Sequence, residues 1–85
     1  MASYSLLTKP SAAKELEAVP LRDRRRLVAR IRALAEEPRS VGAGKLSGRD
    51  LYRVRQGDYR IVDVISDVAR TVTIFKIGHR REVYR

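Results

Sequence analysis

The chain has no cysteine and no tryptophan, and only one histidine and one phenylalanine. Without cysteine there are no disulfides and no thiolate sites, a usage that fits the cytoplasm. No apolar run reaches the roughly 18 residues that a membrane-spanning helix needs, so no contact with a membrane is expected. The start, Met1-Ala2-Ser3-Tyr4-Ser5, has no basic segment leading into a long apolar run, so no signal peptide is expected. Acidic residues are few, ten against nineteen basic ones. With so few carboxylates, one imidazole and no thiol, no spaced ligand set stands out, and neither a metal nor another cofactor is expected. With 85 residues there is one domain, 1–85, and one modest core.

The dominant feature is positive charge. The net charge is +9, carried by fifteen arginines and four lysines. Such an excess on a small domain implies a polyanionic partner, either nucleic acid or an acidic protein. Arginine favours bidentate grip on phosphate or carboxylate over point-charge attraction. GC-rich coding also raises arginine over lysine, but it does not explain the net charge.

Hydrophobic periodicity divides the chain. Residues 3–8 alternate and predict a short strand with Tyr4 and Leu6 on one face. Thr8, Pro10 and Ser11 signal a helix start, and a helix over about 11–18 follows, closed by Pro20. Leu27, Val28, Ile31, Leu34 and Ala35 form one apolar stripe, which predicts a second helix over about 21–36 that Pro38 ends. Residues 39–50 hold three glycines and two serines and read as a loop. The period then changes to two. Strands are expected over 51–55, 59–65 and 71–77, with Gln56-Gly57-Asp58 as a tight hairpin and Gly78 as a terminator. A basic tail, 79–85, closes the chain. The order is strand, helix, helix, strand, strand, strand: an α+β fold whose helices cover one face of a mostly antiparallel sheet.

Alternation places the chemistry. If Tyr52 and Val54 pack on the helices, Arg53 and Arg55 line the open face, and Arg60 has the parity to join them. Solvated sheet faces are often charged, yet three clustered guanidinium groups cost energy without an anion. The tail Gly78-His79-Arg80-Arg81-Glu82-Val83-Tyr84-Arg85 reads on spacing alone as a solvated end. Arg22, Arg24, Arg25 and Arg26 crowd the first turns of the second helix, where the helix dipole prefers acids. They are either tolerated surface charge or a grip for RNA or an acidic protein.

The stretches "LYRVRQGDYRIV" and "GHRREVY", with the opening "YSLLTKPSAAKELEAVP", resemble RelE-type messenger RNA interferases of the RelE/ParE toxin superfamily. The resemblance covers nearly the whole chain and implies the same strand and helix order. It implies that Arg53 and Arg55 form the active surface, that Arg60 contacts the scissile phosphate, that Arg80 stabilises the transition state with Arg81 as the alternative, and that Tyr84 handles a proton. Arg22, Arg25 and Arg26, with Lys45, Arg81 and Arg85, are the further cations expected to grip RNA. Two departures stand out. Arg53 and Arg55 replace lysines of well-known members, and arginine cannot act as a base. Asp63 replaces an aromatic residue common in the family; by parity it faces the helices, where a nearby arginine is expected to pair with it.

The resemblance implies an endoribonuclease that cuts messenger RNA at the ribosome by attack of the ribose 2′-hydroxyl on the adjacent phosphorus. Tyr84 is then the candidate base and His79 the candidate acid for the leaving 5′-oxygen. An acidic antitoxin is the implied partner, and operator DNA is implied only through their complex. A ParE-like gyrase poison, a module that binds RNA without cutting it, and an inactive scaffold that binds antitoxin are the alternatives.

Overall fold

The computed structural model describes residues 4–39, 43–45 and 51–79. The first strand, β1 (Ser5–Thr8), runs into α1 (Pro10–Glu17), which has proline in its first turn, where a missing N–H costs nothing. Ala12 is fully buried beneath α1, and the chain turns at Val19 before α2 (Leu21–Ala33). Leu27 and Ile31 of the apolar stripe are buried, and so is Leu34 just beyond the helix. The helix ends three residues before the expected 36. The N–H groups of Leu34, Ala35 and Glu36 bond the carbonyls of Ile31, Arg32 and Ala33, tightening the last turn ahead of Pro38.

The remaining strands are β2 (Ala43–Lys45), β3 (Leu51–Gln56), β4 (Tyr59–Ser66) and β5 (Thr71–His79). They form one sheet in the order β1-β5-β4-β3-β2. β1 lies parallel to β5, and every other pairing is antiparallel. β2 corrects the reading of 39–50 as a loop. Ala-Gly-Lys has little strand propensity, and only pairing with Val54, Arg53 and Tyr52 of β3 makes it a strand. Gly78 likewise does not end β5. β4 starts at Tyr59, so it offers partners to both Gly78 and His79. In the β3–β4 hairpin, Gly57 has φ +59°, a region that glycine enters without steric cost.

Both helices cover one sheet face. Ala12, Val19, Leu27, Ile31 and Leu34 from the helical layer pack with Val54, Ile61, Ile65, Val72, Ile74 and Ile77. This is the α+β arrangement expected from the sequence. One charged residue sits in that layer. Asp63 is fully buried, and among the described residues neither of its carboxylate oxygens has a hydrogen-bond partner. Burial pushes its pKa up to about 7, only partly opposed by its own backbone N–H and by Arg39.

No arginine is bonded to Asp63 among the described residues, and Arg39, whose charge acts on it, is engaged elsewhere. Arg39 donates to both oxygens of Asp67, at 3.0 and 3.1 Å, and to the Tyr52 hydroxyl at 3.0 Å. The Tyr4 hydroxyl also donates to Asp67, at 2.6 Å. This exposed network ties the start of the chain, the α2–β2 connection and the β4–β5 turn together. Arg39 first, and Tyr4 second, hold the Asp67 carboxyl below its ordinary value. Its stabilisation is therefore present above the unfolded-state pKa and is lost as pH falls through the lower folded value. Thermal melts at about pH 7 and about pH 3 should show a smaller acid-induced loss for Asp67→Asn than for wild type. Equal losses would mean that the network does not hold in solution.

Candidate active face of the sheet

The face of the sheet opposite the helices gathers cations from three strands. On β3, Val54 is buried against the helices, so Arg53 and Arg55 turn the other way. Register carries this across the hairpin: Arg55 lies opposite Arg60, and Arg53 opposite Val62. On β5, Gly78 faces Arg60 and Lys76 faces Val62. Two transverse rows result. One runs Gly44, Arg53, Val62, Lys76, and the other runs Arg55, Arg60, Gly78. Arg53, Arg55 and Arg60 thus come together as the period-two reading expected.

The surroundings fit long cationic side chains. A Cβ on Gly44 would lie 3.4 Å from Arg53 Nε and 3.8 Å from its Cγ, so the arginine stem runs close over this glycine. Val62 is only 7% exposed although no helix covers it, as it would be with long stems lying across it. Arg55 and Arg60 are like charges placed directly opposite, an arrangement that costs stability unless an anion joins them.

Lys76 was not apparent in the sequence. Simple alternation from buried Val72 and Ile74 sends it to the helix side. A β-bulge between Val62 and Asp63 of β4 shifts the register so that Asp63 pairs with Ile74 and Val62 with Lys76. Phe75 is the extra residue, and both Phe75 and Lys76 fall on the open side before Ile77 returns to the core.

His79 is not brought to this cluster. It pairs with Tyr59, on the helix side of the sheet, and the two rings meet edge to face at 5.9 Å. With Glu15, Ala18, Val19, Ile77 and Gly78 they line a cavity of about 300 Å³, in which the Glu15 carboxylate accepts the Ile77 N–H at 3.0 Å. Continuation of β5 through Gly78 is what turns His79 away. This corrects the expectation that His79 shares a site with Arg60.

The other cations assigned to RNA fall elsewhere. Lys45 pairs with Tyr52 and so has the parity of the helix side. Arg22, Arg25 and Arg26 are exposed on α2, and Arg25 lines a groove of about 460 Å³ with Leu21, Arg24, Val28, Ala29 and Arg32. That groove belongs to the helical layer, away from the arginine rows. Arg80, Arg81, Tyr84 and Arg85 lie outside the described residues. Among the described residues, no helix is long and apolar enough to cross a membrane.

No curated protein matches the chain in sequence. Solved structures do. The toxin–antitoxin complex RelBE2 from Mycobacterium tuberculosis contains a chain 26% identical, with TM-score 0.82, the match covering 92% of this chain and 99% of that one. The isolated RelE toxin of E. coli is 29% identical with TM-score 0.79, over 95% of this chain and 90% of that one. The archaeal RelE–RelB complex from Pyrococcus horikoshii gives 25% identity and TM-score 0.81, over 95% and 99%. The family model described as ParE toxin of type II toxin–antitoxin system, parDE, matches residues 6–84. With nearly its whole length matched and RelE toxins sharing its fold, the chain belongs to the RelE/ParE family of type II toxins.

Proposed function

We propose that this toxin is an endoribonuclease that cuts messenger RNA at the ribosome. The observation that carries this reading is the cluster of Arg53, Arg55 and Arg60 on the uncovered sheet face, with Arg55 and Arg60 opposed in register. Such a face suits a phosphodiester: it grips the backbone and compensates charge that develops on phosphorus. The ribose 2′-oxygen attacks the adjacent phosphorus and loses its proton to Tyr84. The bond from phosphorus to the 5′-oxygen breaks, and that oxygen takes a proton from solvent. The products are a 2′,3′-cyclic phosphate and a 5′-hydroxyl. Arg60 and Arg80 stabilise the charged transition state, while Arg53 and Arg55 hold the chain of phosphates.

An acidic antitoxin is the expected partner in the cytoplasm, since the net charge is +9 and the similar solved structures include RelE–RelB complexes. The groove of Leu21, Arg24, Arg25, Val28, Ala29 and Arg32 combines apolar and cationic surface suited to such a chain. Operator DNA would be reached through that complex.

The family model's own description, ParE toxin, favours gyrase poisoning as a second reading. Induction in cells followed by primer extension separates the two. Transcript cuts within codons support the nuclease, whereas intact transcripts with broken DNA support the gyrase poison. In the same assay Arg60→Ala should lower cleavage roughly 100- to 1,000-fold, the loss typical for a group that stabilises transition-state charge. Its fold should persist by circular dichroism, because the side chain points away from the apolar core. A folded Arg60→Ala toxin with full activity would remove Arg60 from the phosphate.

A further inference from the structure

The bulge in β5 does more than turn Lys76 outward. It places two successive side chains, an aromatic ring and an ammonium, on the same face as the arginines. Phe75 is the only phenylalanine in the chain, and it is 41% exposed where a buried position would serve a hydrophobic residue better. Its ring is already used as a π surface, since the Lys9 ammonium lies 4.0 Å from its centroid. Counting along β5, Phe75 lies roughly 10 Å from residue 78, which faces Arg60. Lys76 stands between them. Aromatic rings spaced among cations are the arrangement that binds single-stranded nucleic acid: bases stack on rings while cations track the phosphates.

We propose that this bulge builds a nucleotide subsite, in which Phe75 stacks the base of an RNA nucleotide flanking the cleaved one and Lys76 holds its phosphate. The inference rests on the reading of the protein as an RNA-cutting toxin. An exposed cation–π contact is weaker than base stacking. An arriving base therefore displaces Lys9 from the ring, and the released ammonium remains beside the same backbone. The subsite sets how tightly the messenger is held and the geometry at its neighbour. It does not take part in proton transfer.

The test uses ribosomes programmed with a messenger whose cleaved nucleotide is 2′-deoxy, which blocks the reaction. Each neighbouring nucleotide is replaced in turn by 2-aminopurine, whose fluorescence falls on stacking. Binding of the wild-type toxin should quench one of the two positions. Phe75→Leu should remove that quench and, on the same messenger with ribose at the cleaved nucleotide, raise the half-saturating toxin concentration for cleavage roughly 5- to 150-fold, the range for one lost base stack. Phe75→Tyr should restore both. Lys76→Gln should weaken binding with a shallower salt dependence, whereas Lys76→Arg should not. Unchanged quenching and affinity in folded Phe75→Leu would overturn the subsite while leaving the nuclease reading intact. A wild-type toxin that neither binds this messenger nor cuts its counterpart with ribose at that nucleotide would overturn both.

Discussion

Replacing Tyr84 by phenylalanine is expected to slow single-turnover cleavage of a ribosome-bound messenger roughly 100- to 10,000-fold, the usual worth of a positioned acid or base. The substitution keeps the ring and removes only the proton-accepting oxygen. The chemistry of Arg53 and Arg55 and the placement of His79 set the other candidates for that proton aside. Arg53 and Arg55 stand where the resemblance to RelE-type toxins implies lysines, and a guanidinium does not give up its proton. His79 pairs with Tyr59 on the helix side, behind the sheet from Arg60. Among the described residues, Lys76 is the amine in the arginine rows, and Lys76→Arg tests it by keeping the charge while replacing the amine. Full retention by Lys76→Arg together with a large loss for Tyr84→Phe assigns the proton to the tyrosine. Wild-type rates in Tyr84→Phe across pH would reject it and leave proton transfer to the ribosome or to solvent.

The second large effect is on stability. Asp63→Val should stabilise the fold by about 4 kcal/mol above neutral pH, the value of raising a carboxyl from its ordinary 3.8 to about 7. The sign follows from linkage. Below the unfolded-state pKa both states carry a neutral acid, and burial of charge costs nothing. Between about 4 and about 7 the unfolded chain ionises while the folded one holds its proton, so wild-type stability declines as pH rises, and it levels off above the folded value. The advantage of the valine variant should therefore be small near pH 4 and largest above about pH 7, where it corresponds to a melting-temperature rise of roughly 15–30 °C. A constant difference across pH would show that Asp63 finds a cationic partner in solution. For so small a domain, 4 kcal/mol is a large share of the roughly 4–13 kcal/mol that holds it folded.

The sequence made the helices and the central hairpin legible because burial there is one-sided and regular. Leu27, Ile31 and Leu34 recur at helical period, and Arg53, Arg55 and Arg60 alternate against Val54 and Ile61. What it hid depends on contacts made far along the chain. Ala43–Lys45 become a strand only because β3 lies beside them. Lys76 changes face because Phe75 is an extra residue of β5 opposite Val62 and Asp63 of β4, which simple alternation along β5 does not reveal. His79 turns inward because β4 begins early enough to extend β5 past a glycine. The Asp63 carboxyl drew the correct face from parity, but not its isolation, because Arg39 is held by Asp67 and Tyr52.

The parallel pairing of β1 with β5 also sets an order in time. The β3–β4 hairpin joins neighbours in sequence and closes quickly, but Ser5 waits for Thr71 and Thr8 for Ile74. The helices wait too, since Val72, Ile74 and Ile77 form part of the floor on which they pack. The sheet that aligns the arginines is therefore completed after the hairpin that carries Arg53, Arg55 and Arg60 has closed.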